Sequence, residues 1–388
     1  MKSDATGSLP IYLDHNATTP VLPEVVDAML PYLREHFGNP SSSHVYGQRA
    51  RDAVARARAQ VAALIGCEVD ELVFTSGGTE ANNLAIRGVT ESARGRARVV
   101  TTVIEHPATS RPCSWLEQHG WGVARLGVDA EGRAQVGEAE RVIDGRTALV
   151  TVMHSNNETG VLQPVAELGK LAKASGALVH TDAAQSLGKV RVNVRELDVD
   201  LLSVAGHKLY APKGVGALFV KRGTPIVPFA LGASHERGLR PGTENVASIV
   251  GLGAACAVVE RDLEAAGARM STLRDRLWER LAASIPGLAL NGDRTLRLPN
   301  TLNVRFPGTS GSAVLDGAPE IAASTGSACH EGHESASPVI LAMGVSPQEA
   351  LGSVRLTLGR ATSEADVDQA SEALVRSWQR RTSDAAAP

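Results

Sequence analysis

"ALVTVMHSNNETGVLQPVAELGKLAKASGALVHTDAA", residues 148–184, decides the fold. Its two ends, "ALVTVMHS" (148–155) and "ALVHTDAA" (177–184), are short apolar runs that finish in polar or small residues. Between them "VAELGKLAKAS" (165–175) repeats apolar residues at three- and four-residue spacing. The pattern predicts strand, helix, strand. A strand that is apolar throughout is buried on both faces, the condition of a parallel sheet covered by helices on each side.

Working outward, "RVVTTVIEH" (98–106) and "DLLSVAG" (200–206) are runs of the same kind, and "ELVFTSGGTE" (71–80) reads as a strand, a glycine turn and a helix start. "LPEVVDAMLPYLREHF" (22–37) and "GQRARDAVARARAQVAALIG" (47–66) have helical spacing. After about residue 255 long helical stretches precede short strands at "NTLNVRF" and "SVRLTLG" and a final helix near 363–379. The expected class is therefore α/β: a large domain over 15–255 with a mainly parallel sheet, and a smaller α+β domain from 1–14 and 256–388.

Open α/β sheets bind ligands at the carboxyl ends of their strands. The polar residues there are Ser76–Thr79, His106, Asn156–Asn157, Asp182–Gln185 and His207–Lys208. In "TSGGTE" the glycines leave backbone N–H groups at a helix start, which favours an anion such as phosphate; a plain turn would use the same residues. Asp182 could cap a helix or face a cationic ligand nitrogen. Lys208, in "AGHKLYAPKGVGALFV" (205–220), is a solvated surface amine or, if desolvated, an amine able to condense with a carbonyl. Asn157 and Gln185 could orient a ring oxygen, and His106 could stack on a planar ring. Together these groups form the set that pyridoxal phosphate requires.

The chain resembles the cysteine desulfurases, NifS/IscS-like members of the fold-type I, class-V aminotransferase-like enzymes. The matching stretches run nearly end to end: "YLDHNATTP" (12–20), "GNPSSSH" (38–44), "FTSGGTEANNLAI" (74–86), "EHPA" (105–108), "NNETG" (156–160), "HTDAAQSLGK" (180–189), "GHKLYAPKGVGAL" (206–218), "RPGTEN" (240–245), "GSAC" (326–329) and "VRLTLGR" (354–360). The resemblance implies pyridoxal 5'-phosphate held covalently by Lys208, with Asp182 at the ring nitrogen and His106 stacked on the ring. It puts Asn157 and Gln185 near the ring hydroxyl, and Gly78, Thr79 and His207 on the phosphate side. Thr243 matches the residue that reaches the phosphate of a neighbouring subunit, which implies a homodimer. Arg355, with Asn157, matches the substrate-binding groups; a guanidinium fork suits a carboxylate.

Cys329 is the implied nucleophile, catalytic together with Lys208 and His106. It lies in "STGSACHEGHESASP" (324–338), beside His330 and His333. Zinc sites usually have four ligands in paired spacing, and no second pair is near, so no metal is expected. The implied reaction converts L-cysteine to L-alanine and leaves the sulfur as a persulfide on Cys329 for an acceptor protein. Selenocysteine lyase on L-selenocysteine and an aminotransferase or epimerase on the same fold stay open, as does the acceptor's pathway: iron–sulfur assembly, tRNA thio-modification or dedicated biosynthesis. Three departures stand out. Ala205 replaces a common serine, His235 a common glutamine, and "CHEGHESASPV" the usual "CTS" loop.

Composition narrows the partners. Of 388 residues 21% are charged, with a net charge of -3 and no basic stripe, and aromatics make up 3%. That excludes the usual nucleic-acid surfaces. Four cysteines without pairing spacings fit a reducing compartment. No apolar run spans a bilayer and no signal peptide stands at the start, so a cytoplasmic enzyme is expected.

Overall fold

The computed structural model describes residues 9–326 and 335–386. The chain enters through a two-residue strand, β1 (Ile11–Tyr12), and then builds one large sheet. Its strands are β2 (Leu72–Thr75), β3 (Arg98–Thr102), β4 (Gly122–Leu126), β5 (Thr147–Met153), β6 (Leu178–Asp182), β7 (Leu201–Ala205) and β8 (Gly216–Val220). They lie in the order β2-β8-β7-β6-β5-β3-β4. The pairs from β7 to β4 are parallel, and β8 runs antiparallel to both β2 and β7. β8 is reversed because it follows β7 without a crossover helix, and only a crossover can return the chain parallel.

The opening reading holds: the helix Val165–Ala174 connects β5 to β6, and every residue of β5 and β7 is buried. Polar side chains inside this sheet are satisfied laterally. His180 on β6 bonds Thr151 Oγ1 at 2.7 Å and Ser203 Oγ at 2.9 Å on the strands to either side. Burial pushes its pKa down to about 4, so the ring is neutral.

The C-terminal part has its own core. β9 (Ala289–Leu290), β10 (Thr301–Arg305) and β12 (Ser353–Thr357) form an antiparallel sheet in the order β12-β10-β9. The helices Leu263–Ser284 and Glu364–Ala386 supply Leu277, Leu281 and Leu374 to the same apolar cluster as Val304 and Leu356. Leu13 from the N-terminus packs there too, and β1 pairs in parallel with β11 (Ile321–Ala322). We propose the division at 15–255 against the two flanking segments; the separate cores support it. The two parts meet where the strand ends of the large sheet face β12, and there the site lies.

Candidate active site

The parallel strands end at one edge. β6 delivers Asp182, β7 runs into the tight turn Gly206–Lys208, and β3 leads through Glu105 to His106. Between them lies a cavity of about 400 Å³. Asn157, Asp182, Gln185, His207 and Lys208 line it, as do Gly78, Thr79 and His106; Arg355 reaches it from β12. Nine of the eleven sequence candidates thus line one cavity, and two do not. Thr243 is exposed and lies outside the cavity lining of this chain. Cys329, with His330 and His333, lies outside the described residues.

The anion cradle comes from backbone. β2 ends at Thr75, and the helix Gly78–Ser92 starts after Gly77, whose φ of 150° is a glycine conformation. No side chain caps this helix, so the first-turn N–H groups stay open toward the cavity. Close packing beneath requires another glycine. A Cβ on Gly216 would sit 2.4 Å from the Val204 carbonyl oxygen and 2.7 Å from Gly77 Cα. Ala205 lines the cavity here, and a Cβ on Gly78 would meet its methyl at 3.2 Å.

Asp182 is held on both oxygens. Asn82 Nδ2 donates to Oδ2 at 2.7 Å and the Ala184 N–H donates to Oδ1 at 2.9 Å. The carboxylate is therefore fixed in orientation with lone pairs to spare. Behind it, burial pushes Glu105 up to about 8, against bonds from the Met153 N–H and the Thr102 hydroxyl, and the Asp182 charge adds to the rise.

His106 caps the helix Pro107–Gln118. Its Nδ1 accepts the Ala108 N–H at 3.1 Å, so the neutral ring carries its proton on Nε2. Desolvation lowers its pKa; Asp182 opposes this and Lys208 adds to it. His207 bonds Thr18 Oγ1 at 3.2 Å, and desolvation first, then the neighbouring Lys208, pushes it down to about 4.

Lys208 donates to the carbonyl oxygens of Asn16 and Ala17, the latter at 2.8 Å. Desolvation, then Arg355, lowers its pKa to about 8 while Asp14 and Asp182 oppose the fall. Arg355 is buried. It donates to Asp14 Oδ1 at 2.8 Å and to the Asn157 carbonyl oxygen at 3.1 Å, and its Nε is buried without a partner among the described residues. A buried guanidinium with one unused N–H beside a cavity is arranged for an anionic ligand.

Several residues here carried no reading from sequence. Asn16 sits at the centre. Its carbonyl oxygen accepts from Gln185 Nε2 at 2.9 Å as well as from Lys208, and its Nδ2 donates to Thr301 Oγ1 at 3.0 Å. Lys189, Asn82, Glu105 and Asp14 are the others. All five do fall inside stretches quoted for the resemblance, and that was the available signal. His235, one of the departures, lies away from the cavity, with Nε2 3.3 Å from Ser41 Oγ.

A family model described as Aminotransferase class-V matches residues 11–370. This chain belongs to the class-V aminotransferase family. The "Cysteine desulfurase" of Trichormus azollae is 46% identical over 94% of this chain and 92% of its own length. A solved structure titled "NIFS-LIKE PROTEIN" superposes with a TM-score of 0.89 at 34% identity, covering 96% of this chain and 100% of its own. Another, "SspA in complex with cysteine", gives 0.80 at 34% identity over 91% of this chain and 99% of its own. The relatives of this family member thus include a protein named for the reaction and one solved in complex with cysteine.

Proposed function

We propose that this chain is a pyridoxal phosphate-dependent cysteine desulfurase acting on L-cysteine. The observation that carries the reading is one cavity on which the Lys208 amine, the Asp182 carboxylate, the Arg355 guanidinium and the open helix start at Gly78 all face. Relatives named for the activity, similar over nearly the whole chain, support it.

The residues fit the cofactor. An aldehyde needs an amine of lowered pKa, a cationic ring nitrogen needs a fixed carboxylate, and a phosphate needs open N–H groups. Lys208, Asp182 and the first turn at Gly78 and Thr79 are these groups; His207 would stand beside the phosphate and His106 against the ring face. When bound, pyridoxal phosphate supplies an electron sink for charge at the substrate Cα. Asp182 keeps the ring nitrogen protonated. Lys208 takes the Cα proton and returns a proton to the product. Arg355 holds the substrate carboxylate, with Asn157 beside it, and Asn157 and Gln185 would hold the ring hydroxyl. The Cys329 thiolate attacks the substrate sulfur. An S–S bond forms, the C–S bond breaks, and its electron pair stays with carbon, which takes a proton to give alanine. The persulfide then passes its outer sulfur to an acceptor.

A homodimer completes this reading. Thr243 lies outside the lining of its own cavity, which leaves it for a partner's. Exposed apolar side chains cluster around Phe37, 76% exposed, whose ring packs 5.6 Å from that of Tyr46; such a patch asks for a partner. Among the described residues no helix is long and apolar enough to cross a membrane. We place the enzyme in the cytoplasm on its cysteine usage.

The test offers L-cysteine and L-selenocysteine in turn to the cofactor-loaded protein and measures alanine, chalcogen product and solution mass. Alanine and sulfane sulfur from cysteine, at the mass of two chains, are expected. No alanine from cysteine overturns the activity, and alanine from selenocysteine alone makes it a lyase. A second result concerns Arg355. Arg355→Lys replaces a fork by a point charge and is expected to raise the KM for cysteine roughly 10- to 100-fold with kcat less affected. An unchanged KM removes Arg355 from the substrate site.

A further inference from the structure

Lys189 is a buried lysine for which the mechanism above has no use. It is 5% exposed and is absent from the cavity lining. Its amine meets no carboxylate among the described residues. It donates instead to two side-chain carbonyls, Gln185 Oε1 at 2.9 Å and Asn16 Oδ1 at 3.2 Å. Burying an amine among neutral acceptors is costly, and the charges of Lys208 and Arg355 act on it in the same unfavourable sense. An apolar side chain would fill the volume without that cost.

What the amine does is decide which way an amide faces. The Lys189 amine donates to Gln185, so the atom it meets there is the amide oxygen. The Gln185 nitrogen is thereby turned the other way. Nε2 donates to the Asn16 carbonyl oxygen, the same atom that receives the Lys208 amine. Gln185 therefore shows its N–H side where Lys208 stands and its oxygen to the interior.

We propose that Lys189 is a positioning residue that fixes the Gln185 amide with its N–H toward the cavity, making Gln185 a donor to the anionic ring oxygen of the bound cofactor. This rests on the pyridoxal phosphate reading. A donor there stabilises the oxygen as an anion, whereas a carbonyl turned to the same place would repel it. Without Lys189 the Gln185 oxygen loses its partner, the amide is no longer held, and the ring oxygen becomes more basic. Protonated forms of the bound cofactor then persist to higher pH.

The test is the pH midpoint of the bound cofactor's absorption band, measured without substrate in wild type, Lys189→Met, Gln185→Leu and the double variant. Lys189→Met is expected to raise the midpoint by about one unit. In the Gln185→Leu background the same change is expected to do nothing, since two residues acting through one contact are not additive. Equal shifts in both backgrounds mean that Lys189 acts as a charge on the site and overturn the proposal. So does an unmoved midpoint. The wild-type holoenzyme gives a check that needs no variant to fold: a crystal structure with Lys189 Nζ farther than about 4 Å from the Gln185 amide oxygen overturns the proposal. A wild-type chain with no cofactor band defeats the proposed function and this inference with it; a normal wild-type band with unmoved variants defeats the inference alone.

Discussion

Lys208→Ala is expected to give a folded protein that binds pyridoxal phosphate only non-covalently and turns over cysteine about a thousandfold more slowly, or not at all. Two tasks are lost together: the amine that captures the cofactor and the base that moves the proton at Cα. The fold should survive, because Lys208 stands on the wall of a cavity and its bonds go to the carbonyls of Asn16 and Ala17, which water can replace. The wild type has a pH signature that the variant lacks. With the amine's pKa lowered to about 8 by desolvation and Arg355, the unprotonated, reactive fraction grows as pH rises through that value. Covalent uptake of pyridoxal phosphate by the apoprotein should quicken between pH 7 and 9 and then level off. Borohydride reduction followed by peptide mapping should place the label on Lys208; a label elsewhere overturns the assignment.

The fold was legible wherever both faces of a strand are buried. β5, β6 and β7 read as apolar runs because helices cover them on each side. β4 gave no such signal. It lies at the edge of the sheet beside β3 alone and is only partly buried, so its sequence "GVARL" mixes apolar and charged residues. β8 is apolar throughout, but its reversed direction depends on the short connection from β7, which no composition shows. The same division holds in the site. Asp182, His106 and Lys208 follow strand ends and could be found from the chain alone. Asn16 could not, because it sits on an irregular segment without periodicity and becomes central only when residues 141 and 285 positions away close around it. Lys189 reads as an ordinary lysine after a glycine; its burial and its two carbonyl partners are tertiary facts.

Cys329→Ala should separate two halves of the reaction. Cys329 lies outside the described residues; Gly326, three positions before it in the sequence, lines the cavity. Substrate binding and proton movement at Cα rest on Arg355, Asp182 and Lys208 and need no thiol. The thiol is needed when sulfur leaves carbon, because a thiolate is the group that takes it. The variant should therefore still change the absorption of the bound cofactor when cysteine is added, at a concentration dependence close to that of the wild type. Alanine release should fall about a hundredfold or more, and no persulfide should form. Selenium sharpens the contrast. A selenolate leaves carbon more readily than a thiolate, so selenocysteine should lose less activity than cysteine in the same variant. Wild-type alanine release from cysteine would show that Cys329 is not the nucleophile. Equal loss on both substrates together with loss of the spectral change would show instead that residue 329 shapes the substrate site, because a missing nucleophile alone leaves binding intact.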